Sequence, residues 1–171
     1  ANVFKKQQLK ILMVGLDASG KTSILYLLKF GQNAETVIPT INFNIETFKH
    51  HRTSIEMWDV GGGDKIHALW IHYAIGMNAI IFVVDSADRE RIENARQELY
   101  NLMQQPQVEG YKLMVLANKQ DLPNPMTRQE VIDGLQLNQL HNNITWEVTE
   151  CSIFQKEGLA QAFDWIVNNA Q

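Results

Sequence analysis

The sequence predicts an α/β fold with a mostly parallel central sheet, one antiparallel hairpin and helices on both faces. Three observations carry this. Short runs rich in Val, Ile and Leu at 9–14, 80–84 and 113–117 are too continuous for half-exposed strands and suit strands covered on both faces. Apolar residues recur at three-or-four spacing between and after them: Ile24, Leu25 and Leu28, then Ile92, Ala95, Leu99 and Leu102, then Leu159, Ala162, Phe163, Ile166 and Val167. That is the period of helices laid on a sheet. Two extended patterns, at 41–48 and 53–59, are separated only by the polar turn 49–52, too short for a crossover, so they should pair as an antiparallel hairpin.

Taken in order, the first apolar run ends at Gly15 and leads through a loop into the first helix. The hairpin follows, then a strand, a helix and another strand. Thr127 and Glu130 have the spacing of a capping box and should open a helix just after a loop at 122–126 that contains Pro123 and Pro125. The last helical pattern closes the chain. Strand alternating with helix implies that ligands sit beyond the carboxyl ends of the strands.

Composition narrows the function classes. With 171 residues, 45% hydrophobic and 20% charged, one domain over 1–171 is expected, residues 1–8 being a short N-terminal extension. A chain of this size buries roughly 70% of its unfolded surface, so it needs no disulfide or metal staple. The single cysteine, Cys151, excludes a disulfide scaffold. A net charge of -4 offers no basic field for nucleic acid, and no apolar stretch is long enough to span a bilayer. The six methionines fall mostly on apolar faces and should fill the core. Trp70 should also be a packing residue. His50, His51, His67, His72 and His141 show no metal-site spacing and read as surface histidines.

The chemistry is concentrated in three segments. Residues 15–22, GLDASGKT, fit G-x-x-x-x-G-K-[ST] between a buried strand and a helix, where a phosphate loop belongs, and so specify the P-loop NTPase version of the fold. Its glycines let successive N–H groups point at a phosphate, the helix N-terminus adds its positive end, Lys21 supplies a point charge and the Thr22 hydroxyl can ligate magnesium. Asp59 stands at the end of the second hairpin strand, where its carboxylate can reach magnesium through water, and the Gly62 amide can approach a terminal phosphate. Thr40 could close the magnesium shell from the opposite side. After the strand at 113–117 come Asn118, Lys119 and Asp121: the Asp121 carboxylate can accept two hydrogen bonds from the guanine amino and ring N–H groups, which adenine lacks in that place, while Asn118 braces the pocket and the Lys119 stem covers the base.

In this order, these segments resemble the small GTPases. Ile11-Leu-Met-Val-Gly-Leu-Asp17, Pro39-Thr40, Trp58-Asp-Val-Gly-Gly62, Phe82-Val-Val-Asp-Ser86, Asp88-Arg-Glu-Arg91 and Ala117-Asn-Lys-Gln-Asp-Leu-Pro123 resemble the Arf and Arf-like family, from about Leu9 to the C-terminus. The resemblance implies a switch cycling between GDP and GTP with Mg2+, peripheral on Golgi or other endomembranes and acting in membrane traffic or organelle organisation. It implies nucleotide contacts from Asp17, Ala18, Ser19, Gly20, Lys21, Thr22, Ser23, Thr40, Gly62, Asn118, Lys119, Asp121, Ser152 and Ile153, the last through its backbone N–H. Thr22, Thr40 and Asp59 would hold the metal, and Lys21, Thr40, Gly62 and position 63 would serve hydrolysis. Partners would be an exchange factor, a GTPase-activating protein and effectors that meet Phe43, Trp58 and Tyr73.

The sequence departs from that family in four places. Gly63 stands where the family has a water-orienting glutamine, so slow hydrolysis is expected. Asn42 replaces a glycine, and the interval from Lys21 to Thr40 is one residue longer than the family's. Ser152, Ile153 and Phe154 stand where the family has Cys-Ala-Thr. The first residues, with Val3 and Phe4 beside Lys5 and Lys6, lack a Met-Gly start for myristoylation and are shorter than the family's amphipathic helix. Two other readings stay open: a GTP-binding scaffold without turnover, and a P-loop nucleotide kinase with residues 85–91 as an arginine-bearing lid.

Overall fold

A computed structural model describes residues 8–31, 43–141 and 143–170. Thr40, Ile41, Asn42 and residues 3–6 lie outside the described residues. The elements are β1 (Gln8–Gly15), α1 (Lys21–Phe30), β2 (Phe43–His50), β3 (Thr53–Val60), α2 (Asp64–His67), α3 (Trp70–Ala74), β4 (Ala79–Asp85), α4 (Ile92–Met103), β5 (Lys112–Asn118), α5 (Arg128–Gly134), β6 (Thr145–Glu150) and α6 (Lys156–Asn169). The sheet order is β2-β3-β1-β4-β5-β6. Only β2 and β3 pair antiparallel, as the short turn between them requires; every other neighbouring pair is parallel.

Continuous apolar strands do bury both faces. On β1, Leu12 and Val14 point into one core with Phe82, Val115 and Trp70, whereas Ile11 and Met13 point into the other with Ile24, Val83 and Phe163. Residues on β4 and β5 alternate in the same way, so a single strand feeds two cores. Each such fully buried Leu, Ile or Val contributes about 1.5–3 kcal/mol relative to exposure. All six methionines are buried, and Trp70 is buried as expected, its Nε1 donating to the Gly61 carbonyl at 3.2 Å.

Helix α5 begins at the expected capping box. The Thr127 hydroxyl accepts from the Glu130 N–H at 3.2 Å, and the Thr127 N–H donates to Glu130 Oε1 at 3.3 Å. Strand β6 has no counterpart in the sequence reading. It is the sheet edge, only Val148 on it is buried, and so it lacks the apolar run that marks β1, β4 and β5.

The histidine expectation needs correction. His51, His72 and His141 are exposed, but His67 is buried and His50 is half-buried. His50, His51 and Asp164 also lie together with their possible ligand atoms all within 4.8 Å of one another, a cluster that spacing along the chain does not reveal because its third member is on α6.

Parallel pairing has one consequence for function. The registers that align Met13 with Asp59, Gly15 with Val83, Asp85 with Asn118 and Ala117 with Glu150 bring the carboxyl ends of five strands to one edge.

Candidate functional site

At that edge, β1 stops at Gly15 and the chain curls into α1. The curl uses left-handed backbone at Ala18 (φ 61°) and Gly20 (φ 99°). A side chain at Gly20 would be strained there, and its Cβ would lie 2.4 Å from Asn118 Nδ2. Asn118 occupies that space to donate to the Ser19 carbonyl at 2.9 Å. Lys119 Nζ donates to the Ala18 carbonyl at 2.6 Å and pairs with Asp85 at 3.0 Å. The loops after β1 and β5 are thereby tied into one cradle.

Lys21 is buried, and among the described residues its Nζ makes only long contacts, 3.4 and 3.5 Å, to the Gly15 and Leu16 carbonyls. Burial pushes its pKa down, opposed by the charges of Asp59 and Asp17. An ammonium held out of water and near the amides of a helix start is set up for an anion. Ser19 Oγ is also buried and finds no hydrogen-bond partner among the described residues, so it too can serve a ligand. The Thr22 hydroxyl and Asp59 Oδ2 meet at 2.7 Å, joining the start of α1 to the end of β3. Two hard oxygen donors beside a phosphate loop suit Mg2+. Ser23 follows on the first turn of α1 and is half-buried.

Gly62 lies directly on the phosphate loop. A Cβ there would come within 2.5 Å of Asp17 N and Gly15 O, and the Gly62 carbonyl accepts from the Asp17 N–H at 3.0 Å. Gly63 differs: it has ordinary extended backbone, and a Cβ would meet nothing within 4 Å among the described residues.

Two further residues hold this edge in ways the sequence does not show. His67 Nε2 lies 2.6 Å from the Gly62 carbonyl and its Nδ1 lies 3.1 Å from Glu98 Oε2, so a helix on one core holds the Gly62 loop in place. Arg91 donates to Asp17 twice, at 2.8 Å to Oδ1 and 2.8 Å to the carbonyl, and to Asp88 Oδ2 at 2.7 Å. Arg91 reaches Asp17 across 74 residues, and the bond from His67 to Gly62, five residues back, depends on how the intervening turn closes, so neither tie can be read from residue spacing.

In the loop after β5, Asp121 is exposed at the rim. Its loop is pinned by Gln120, whose side chain donates to Ser86 Oγ at 3.1 Å and to the Met126 carbonyl at 2.9 Å. The loop after β6 joins it through the Gln120 N–H and the Cys151 carbonyl, 3.1 Å apart. Ser152 is buried, its Oγ accepting from the Phe154 and Gln155 N–H groups, while Ile153 is half-buried.

The three aromatics also converge. Ring centroids are 5.8 Å apart for Phe43 and Trp58, 5.7 Å for Phe43 and Tyr73 and 6.3 Å for Trp58 and Tyr73. Phe43 is 47% exposed, with Ile45 and Leu69 also exposed. Trp58 Nε1 has no partner among the described residues.

Residues 1–170 match the profile of the ADP-ribosylation factor family. The chain belongs to that family. Relatives from Dictyostelium discoideum, ADP-ribosylation factors J and K, are 44% and 45% identical to it over 173 aligned positions, covering 99% of this chain and 91% of each relative. The Arl6 BBS3 small GTPase of Trypanosoma brucei, solved with the nucleotide analogue GppNp, matches with a TM-score of 0.86 and 29% identity over 96% of this chain and 98% of that one. As a member of the ADP-ribosylation factor family, the protein is a small GTPase with the mixed six-stranded sheet and phosphate loop of that fold.

Proposed function

We propose that this small GTPase is a guanine-nucleotide switch whose hydrolysis is slow and whose GTP form recruits effectors through Phe43, Trp58 and Tyr73. The observation that carries this reading is the double tie between loops: Asn118 on Ser19 and Lys119 on Ala18 hold a base-reading loop and a phosphate loop at one fixed separation. A cradle of that kind discriminates a whole nucleotide rather than a phosphate alone.

In this reading the N–H groups of residues 17–22 and Lys21 take the phosphates, and Asp121 takes the guanine edge with Ile153 N–H on the base oxygen. Magnesium would be held by Thr22, Asp59 and Thr40, and supplies charge neutralisation on the terminal phosphates when bound. Because Gly62 already uses the Asp17 N–H, a ligand that needs this donor must take it from the Gly62 carbonyl, and the segment after Gly62 has to respond. The segment runs directly to Leu69 and Tyr73, so nucleotide state reaches the aromatic patch. Exposed aromatics with apolar neighbours form a suitable anchor for a partner. An exchange factor and a GTPase-activating protein would set the rates, and family likeness supports a peripheral place on Golgi or other endomembranes.

Gly63 favours one variant of this reading, a GTP-loaded scaffold with little turnover, since glycine offers no side chain to orient water. The test is parallel titration of GDP, GTP and ADP with magnesium. Guanine nucleotides should bind far more tightly, because adenine leaves the Asp121 carboxylate facing an unmatched edge, a cost on the order of several kcal/mol. Asp121→Asn should shift preference toward xanthine nucleotides. Equal affinity for GDP and ADP overturns the assignment.

A further inference from the structure

At the far end of the hairpin from the phosphate loop, His50 closes β2, His51 and Arg52 form the turn, and Asp164 reaches them from α6. Consecutive residues of a strand point to opposite faces, so two adjacent histidines do not normally converge. They do here because the strand ends at His50 and His51 takes left-handed backbone at φ 53°, a conformation that costs a residue with a Cβ on the order of 1 kcal/mol or more. The two rings come within 4.4 Å between centroids. His50 is also seated against Phe163, which fixes its ring on the α6 side.

Both rings turn their Nε2 to the same carboxylate oxygen. His50 Nε2 lies 2.6 Å and His51 Nε2 3.3 Å from Asp164 Oδ1. A tetrahedral zinc ion with bonds of roughly 2.0–2.1 Å sets its donors roughly 3.3 Å apart. The His51 to Asp164 distance already has that value, and the His50 contact needs to open by well under 1 Å. Access is unobstructed, since the His51 and Asp164 side chains are 77% and 52% exposed.

We propose that His50, His51 and Asp164 form a binding site for a divalent transition-metal ion of the zinc class, with two imidazole Nε2 ligands, one carboxylate oxygen and the remaining position open to water. Two nitrogens and a single carboxylate suit Zn2+, Co2+ or Ni2+; Mg2+ and Ca2+ call for more oxygen donors. In binding, the metal takes the place of the protons through which the imidazoles now meet the carboxylate, and it ties the hairpin turn to α6. The site shares no residue with the nucleotide cradle, and neither depends on the other.

The test is calorimetric titration of the full chain with Zn2+ in chelator-free buffer, magnesium and GDP held saturating. One ion should bind per chain and raise the melting temperature. Co2+ in its place should give the visible absorption bands of a low-coordinate nitrogen-ligated ion. His51→Ala and Asp164→Asn, both at exposed positions, should keep the wild-type circular dichroism and GDP binding but lose at least about tenfold in Zn2+ affinity, together with the Co2+ bands. His72→Ala should retain both. Absence of saturable Zn2+ binding, or binding with equal affinity and an equal Co2+ spectrum in His51→Ala and Asp164→Asn, overturns the proposal and leaves the cluster an ion pair.

Discussion

Cys151 sits wholly buried beneath the loop after β5, its thiol 3.7 Å from Asn118 Oδ1. Burial disfavours the thiolate and pushes its pKa from 9.0 up to about 12. The folded protein should therefore resist a thiol reagent at pH 8, with modification appearing only as the chain unfolds in denaturant; labelling of native protein at the rate of a free cysteine would refute this. The linkage has a definite sign. The unfolded thiol ionises from about pH 9, where the folded one does not, so this group's contribution to stability is complete below pH 9 and is lost as pH rises toward 12. At this scale, what was legible in the sequence was what a local spacing encodes. Lys21, Thr22, Asn118 and Asp121 each stand within a short motif, and the fold brings the loops that carry them to one edge of the sheet. The ties of His67 and Arg91 are not encoded so: Arg91 bonds Asp17 across the fold, and His67 bonds Gly62 only because of the way the turn between them closes.

Among elements, α5 shows how much a local signal can decide. It is a helix of only 7 residues, too short to hold by propensity alone, and the reciprocal Thr127 and Glu130 bonds satisfy N–H groups that would otherwise lack partners. Thr127→Ala should cost about 1 kcal/mol, read as a lower urea midpoint at unchanged slope. A midpoint equal to wild type would mean that packing of Val131 and Ile132 alone sets the helix. The capping box could be read in the sequence because both partners lie within four residues. Strand β6 could not, since Thr145–Glu150 has one fully buried residue and owes its extended form to pairing with β5. The hairpin lies between these cases. Its existence follows from two extended runs and a short turn, but the left-handed His51 and its approach to Asp164 are set by how the turn closes against α6.

Over the whole molecule, five carboxyl strand ends form one edge, and Gly63 is placed where that edge meets solvent. The residue beside it is confined: Gly62 touches the phosphate loop so closely that any Cβ would collide with Asp17 N and Gly15 O. Position 63 has a φ of -69° that any residue adopts, and among the described residues nothing lies within 4 Å of a Cβ there, so none of them demands glycine. Among the described residues, His67 is a nearby side chain that could orient a water instead, but one ring nitrogen faces the Gly62 carbonyl and the other Glu98. Gly63→Gln should therefore fold with stability within about 1 kcal/mol of wild type, slightly raised through the lost freedom of the unfolded chain. Nucleotide affinity should stay within a few fold, because Lys21, Thr22 and Asp121 are untouched. Hydrolysis should rise, most clearly when an activating protein supplies an arginine, since positioning of the water and stabilisation of the charge then act together. Single-turnover phosphate release from the two forms measures this. Equal rates would show that water positioning does not depend on residue 63, and would leave His67, freed from Gly62 in the nucleotide-bound state, as the residue to replace next.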